Sequence, residues 1–144
     1  MLAEYGYYAT AEELVHKADA VVVGTVLASV TRETSIGEVV DERHLVSSVR
    51  VQRVIKGDLA PGDTIEVRQL LSADSPARIW LNREGTRAIL FLSAWPDRSY
   101  EPVNPWQGVV AIVDGKTKAA PGNDAFETPA GEEDVVTELA GLAE

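Results

Sequence analysis

His16 and His44 are the only imidazoles in this chain of 144 residues, and they set the first limit on its chemistry. Neither has a second histidine at a spacing that builds a metal site, such as i, i+4 on a helix. Both read as surface or capping residues. Cysteine is absent, which excludes thiolate nucleophiles, cysteine-ligated zinc and disulfides. No G-x-S-x-G occurs, and Ser47 and Ser48 fall inside an alternating segment. The acidic residues form no Asp-x-Asp-x-Asp-Gly calcium loop, and no glycine-rich phosphate loop is present. "PGNDAFETPAGEED" reads as a flexible acidic connection. Twenty-three acidic residues could always supply a carboxylate pair somewhere, so that possibility carries no weight. The expectation is a protein that is not an enzyme and needs neither cofactor nor metal.

The chemistry that does stand out is aromatic. "WPDRSYEPVNPWQG", residues 95–108, holds two of the three tryptophans and three of the seven prolines, between two runs that read as buried strands. One reading has Trp95 and Trp106 folding back to plug an open barrel end, with the prolines restricting the unfolded chain. The other makes Trp95, Arg98, Tyr100 and Trp106 an anchor patch for a protein partner or a glycan, on a loop where such sites are common. Plugging takes precedence, and a binding site would use its rim.

Charge narrows the partners. The net charge of −10 favours solubility and repels nucleic acid and anionic membrane. Arg50, Gln52, Lys56 and Arg68 share strand faces and make the nearest approach to a basic patch. No aromatic residue accompanies them for bases to stack on, and Glu66 interrupts them. Nucleic acid is therefore not an expected partner. The longest nearly apolar run, "ADAVVVGTVLASV", is shorter than the ~20 residues of a membrane span, so no membrane insertion is expected. "MLAEYGYYAT" has neither the basic nor the apolar region of a signal peptide.

A chain of this length fits one domain, 1–144, able to bury roughly two thirds of its unfolded surface. "TAEE" predicts a short helix capped by Thr10 and Glu13, with Leu14, Val15 and Ala18 on one face. Residues 21–31 predict a strand buried on both sides, with Gly24 at a bulge or bend. "ETSIGEVVDER" reads as a long loop or hairpin tip. Residues 44–56 alternate, with Leu45, Val49, Val51 and Ile55 on the buried side. Pro61-Gly62 marks the turn into a third strand, where Ile65, Val67 and Gln69 oppose Thr64, Glu66 and Arg68. Ser75-Pro76 could start a short helix, or residues 77–81 could form an edge strand; the weak helix face of Ile79 and Trp80 favours the strand. "RAILFLSAW" predicts the central strand, and "GVVAIVDGKTKAA" another with a tight Asp114-Gly115 turn. Val135, Val136, Leu139, Leu142 and Ala143 predict a closing helix entered from Thr128-Pro129. The fold class is mainly β: a five-stranded antiparallel barrel of the OB (oligonucleotide/oligosaccharide-binding) kind at 10–118, with a short N-terminal helix. An acidic linker and a C-terminal helix follow at 119–144, and helices pack at the barrel ends. A two-sheet sandwich is the alternative.

"ADAVVVGTV", "VRVQRVIKGDLAPGDTIEV", "EGTRAILFL" and "GVVAIVDGK" occur in an order that resembles uncharacterised bacterial, often secreted, domains similar to netrin-module and tissue-inhibitor-of-metalloproteinase barrels. The resemblance spans about residues 10–118 and rests on strand and turn signatures. It implies an OB-fold, an extracytoplasmic setting and a non-catalytic binding role. Inhibition of a metalloproteinase through an N-terminal cysteine cannot be carried over, because this chain has none. The leading expectation is a binding or interaction module. A small enzyme or small-ligand binder with an unrecognised pocket comes second, and an OB-type nucleic-acid binder third.

Overall fold

Hydrophobic residues on both faces of two strands dictate the layering. The computed structural model describes residues 7–36, 39–70, 80–104, 106–120, 123, 125–126 and 128–143. Helix α1 (Ala11–Lys17) leads into β1 (Ala20–Ile36), β2 (Val39–Lys56), β3 (Thr64–Leu70), β4 (Arg87–Ala94), β5 (Tyr100–Pro102), β6 (Val109–Val113), β7 (Lys116–Lys118) and β8 (Ala130–Gly131). Helix α2 (Glu132–Leu142) closes the order.

Five strands close into a barrel in the order β1-β2-β3-β5-β4, and β4 returns to β1. The ring excludes a two-sheet sandwich. It also corrects the all-antiparallel expectation, because β3 and β5 run parallel where Val67 meets Tyr100. Parity explains the correction: directions cannot alternate around a ring with an odd number of strands, so at least one neighbouring pair must be parallel. β6 continues along the same side of β4 that carries β5, and β7 and β8 extend from it.

Alternation along β1 and β4 divides their side chains between two cores. Val22, Val26, Leu90 and Leu92 fill the barrel with Val49, Val51 and Val67. Val21, Val23, Ile89 and Phe91 point outward and are covered by Leu14 and Val15 of α1 and by Val135, Val136 and Leu139 of α2. The helices thus lie on one barrel wall, not at the barrel ends, since the outward apolar face needs covering. Burying such a side chain contributes about 1.5–3 kcal/mol. Thr10 caps α1 by accepting the Glu13 N–H at 3.2 Å, while its hydroxyl donates to Glu13 Oε1. At the other end of α1, Lys56 Nζ donates to the carbonyls of Val15 (2.9 Å), His16 (3.3 Å) and Ala18 (2.6 Å).

Gly24 sits at a register shift between β1 and β2, as the sequence suggests. Those shifts have a second consequence along β2. The pairing slips between Val51 and Arg53, which reverses the inside-outside alternation: Val54 joins the barrel core and Ile55 the helix-covered core. Ile55 therefore leaves the face it was assigned with Val51. Of the two readings of 33–43, loop or hairpin tip, the structure shows the hairpin: β1 and β2 pair as a two-stranded ribbon out to Ile36 and Val39. The edge strand at 77–81 is corrected at its described end, where Trp80 and Leu81 are helical and Leu81 is buried. Ser75-Pro76 and residues 77–79 lie outside the described residues. Helix α2 starts at Glu132, after Ala130 and Gly131 pair with Thr117 and Lys116, so Thr128-Pro129 is not its first turn. The acidic connection lies partly outside the described residues; within it, Phe126 packs 5.7 Å from Phe91.

Candidate functional site

The aromatic stretch makes two structures, not one. Its first part is the β4–β5 hairpin. Trp95 N donates to the Ser99 carbonyl at 2.8 Å and Arg98 N to the Trp95 carbonyl at 3.1 Å. Pro96 presets the turn, and Arg98 takes the left-handed position with φ 69°. That conformation usually falls to glycine, asparagine or aspartate, so a long side chain there carries a backbone cost. Asp97 fixes the hairpin: its Oδ1 accepts from Ser99 N (3.1 Å) and Ser99 Oγ (2.6 Å), and its Oδ2 accepts from Arg68 Nη2 (2.6 Å). The Ser99 hydroxyl first, then the Ser99 amide and Arg68, hold the Asp97 carboxyl below the usual carboxylate range.

Trp95 is flanked by Arg68 and Glu101. The Arg68 guanidinium carbon stands 6.0 Å from its ring centroid, in cation–π contact. Half-burial pushes the Glu101 carboxyl up, an effect the Trp95 side chain partly offsets. The indole remains 41% exposed. It borders an open groove of about 660 Å³. Trp95, Arg98 and Tyr100 line this groove from the β4–β5 hairpin, the β2–β3 turn supplies Asp58, Leu59 and Asp63, and β3 supplies Ile65. Asp63 Oδ2 accepts the Ala60 N–H at 2.9 Å, which fixes the turn on that side.

Three of the four residues chosen from sequence are therefore brought together, and Trp106 is not. Between the pairs Leu92↔Pro102 and Leu90↔Val109, the single residue Phe91 of β4 faces all of 103–108. Phe91 bonds on both sides of this excursion, accepting from Val103 N and donating to the Gly108 carbonyl, each at 2.9 Å. Asn104 Oδ1 shapes the loop by accepting from Trp106 N (3.0 Å) and Gln107 N (2.6 Å). Gln107 is fully buried, and its carboxamide pairs with both backbone groups of Tyr8: Oε1 accepts at 2.8 Å and Nε2 donates at 2.6 Å. The same Nε2 reaches Asn123 Oδ1 at 3.1 Å. This loop is a clamp on the N-terminal segment, with Trp106 riding on it 50% exposed. Neither Trp95 nor Trp106 plugs the barrel, whose interior aliphatic side chains already fill.

Asp58, Asp63, Asn104 and Gln107 were not chosen from sequence. "NPWQG" carries an Asn-Pro turn signal that could have pointed to the clamp. Nothing local pairs the β2–β3 turn with the β4–β5 hairpin. The supposed basic patch is largely engaged elsewhere: Lys56 on α1, Arg68 on Asp97, and Gln52 accepting from Arg87 at 3.0 Å. His16 is exposed in the last turn of α1, and no cluster of three or more metal-ligating side chains occurs among the described residues. No described helix is long and apolar enough to cross a membrane. A second depression of about 550 Å³, beside Val113, Lys116 and Lys118, has no aromatic lining.

No protein-family model matches the chain, and no curated protein sequence matches it. Function is therefore read from the groove itself.

Proposed function

We propose that this protein is a non-catalytic interaction module of the OB type, working outside the cytoplasm, that takes a segment of a partner protein in the groove beside Trp95. The five-strand ring with its parallel β3–β5 contact suits a Greek-key barrel of that type. The extracytoplasmic setting and the likeness to netrin-type barrels rest on the strand signatures of the sequence. One observation carries the binding role: Trp95 is exposed and yet in cation–π contact with Arg68, beside a groove. A pre-ordered aromatic loses little entropy on binding, which is what an anchor residue requires.

Selection of a random linear peptide library on the immobilised protein, with counter-selection on Trp95→Ala, tests the reading. The expected result is a set of peptides bound at least about tenfold more weakly by the variant. A library that yields no Trp95-dependent binder, from a variant whose thermal unfolding is unchanged, contradicts it. Binding on a glycan array in place of peptides would move the site to the carbohydrate reading.

A further inference from the structure

We infer that the groove selects a basic side chain, lysine or arginine, on the partner segment. The inference rests on the interaction-module reading and adds the chemistry of its ligand. The groove's charged lining is Asp58 and Asp63 against Arg98 alone, so an entering cation meets two carboxylates and one guanidinium. Asp63 is held by the Ala60 N–H, which keeps one of those carboxylates in place before a ligand arrives.

The aromatic side has the same preference. A tryptophan face attracts cations through its quadrupole; the Arg68 guanidinium, paired with Asp97, already lies over the ring at 6.0 Å, so a ligand cation would use the exposed remainder of the indole. The indole is 41% exposed, and its exposed part offers π surface to a ligand. Tyr100, Leu59 and Ile65 add surface for the aliphatic stem of a long basic side chain, which buries its methylenes while its charge stays polar-solvated. A wholly apolar ligand would strip water from Asp58 and Asp63 without replacing it. An acidic one would face both carboxylates. At longer range, the net charge of −10 attracts a basic partner and repels an acidic one.

Arg98 refines this preference. It stands at the hairpin tip in a left-handed conformation and adds a cation to the groove's lining. A partner carrying a carboxylate a short distance from its basic residue would satisfy both.

The Trp95-dependent peptides from the library provide the test, since their composition is free to disagree. Expected are several-fold enrichment of lysine or arginine over the starting library, and affinity that falls about three- to fivefold in Asp58→Asn/Asp63→Asn. Raising salt from about 50 to about 500 mM should weaken wild-type binding and barely affect the double variant. Asparagine keeps the acceptor that Asp63 offers to Ala60, and circular dichroism checks that the turn survives. Trp95-dependent peptides without basic enrichment, or with unchanged affinity for the double variant, overturn the inference while leaving the groove as a binding site. Absence of any Trp95-dependent peptide overturns the groove itself, and the inference falls with it.

Discussion

Glu101 shows how one side chain can be misfit for stability and fit for its place. Its carboxyl is half buried, which disfavours the anion, and the Trp95 side chain offsets that cost only in part. A folded-state pKa above the unfolded one contributes stability that is complete below the unfolded value of about 4.3 and disappears as pH rises through the folded value. At pH 7 the ionised group is therefore a burden. Glu101→Gln keeps the shape of the side chain and removes the charge. It should raise the urea midpoint at pH 7, and the advantage should shrink on approaching pH 4, where the wild-type carboxyl is increasingly neutral. An advantage that stays constant with pH would mean that burial is not the cause. Asp97 behaves oppositely: Ser99 and Arg68 favour its charged form, so its contribution is present above the ordinary carboxylate range and is lost below it. Residues of this kind are hard to read from sequence. "WPDRSYE" announces a turn, but that Glu101 returns to Trp95 and Asp97 reaches Arg68 depends on strands brought together from elsewhere.

At the scale of elements, local pattern served well where burial is two-sided and poorly where backbone pairing alone suffices. β1 and β4 were legible because both faces are apolar, one for each core. The length of the ribbon out to Ile36 and Val39 was less so, because its segment is polar, is interrupted by Gly37, and reads equally as a loop or a hairpin tip. The Asp114-Gly115 turn came through clearly, with φ of 53° and 76° at its two residues. Two substitutions test how elements are joined. Lys56→Met removes the donor shared by three carbonyls at the end of α1, and should cost about 2 kcal/mol in chemical unfolding while keeping the aliphatic stem. A loss within error would make that cap incidental. Gly24 lies so close to β2 that an added Cβ would meet Val49 Cγ1 at 2.5 Å and Arg50 O at 3.1 Å. Gly24→Ala should therefore destabilise by about 1–3 kcal/mol, through overpacking at the bulge where β1 crosses β2. A neutral or stabilising effect in the same measurement would show that the two strands are not so close.

For the whole molecule, closure of the ring creates the candidate site. The β3–β5 contact at Val67 and Tyr100 brings the β4–β5 hairpin beside the β2–β3 turn, and the groove is the space between them. Sequence supplied the aromatic side because tryptophan in a proline-rich turn is conspicuous. Asp58 and Asp63 read only as turn residues, since their proximity to Trp95 is a property of the closed barrel. The same closure separates Trp106 from Trp95, by giving 103–108 an excursion of its own that Gln107 ties to Tyr8. The two exposed tryptophans therefore make opposite predictions for a Trp95-dependent peptide taken from the library. Titrated calorimetrically against Trp95→Ala and Trp106→Ala, it should lose at least about tenfold in affinity for the first variant and less than about twofold for the second. Equal losses in both, or a larger loss in Trp106→Ala, would contradict a groove built between the β2–β3 turn and the β4–β5 hairpin.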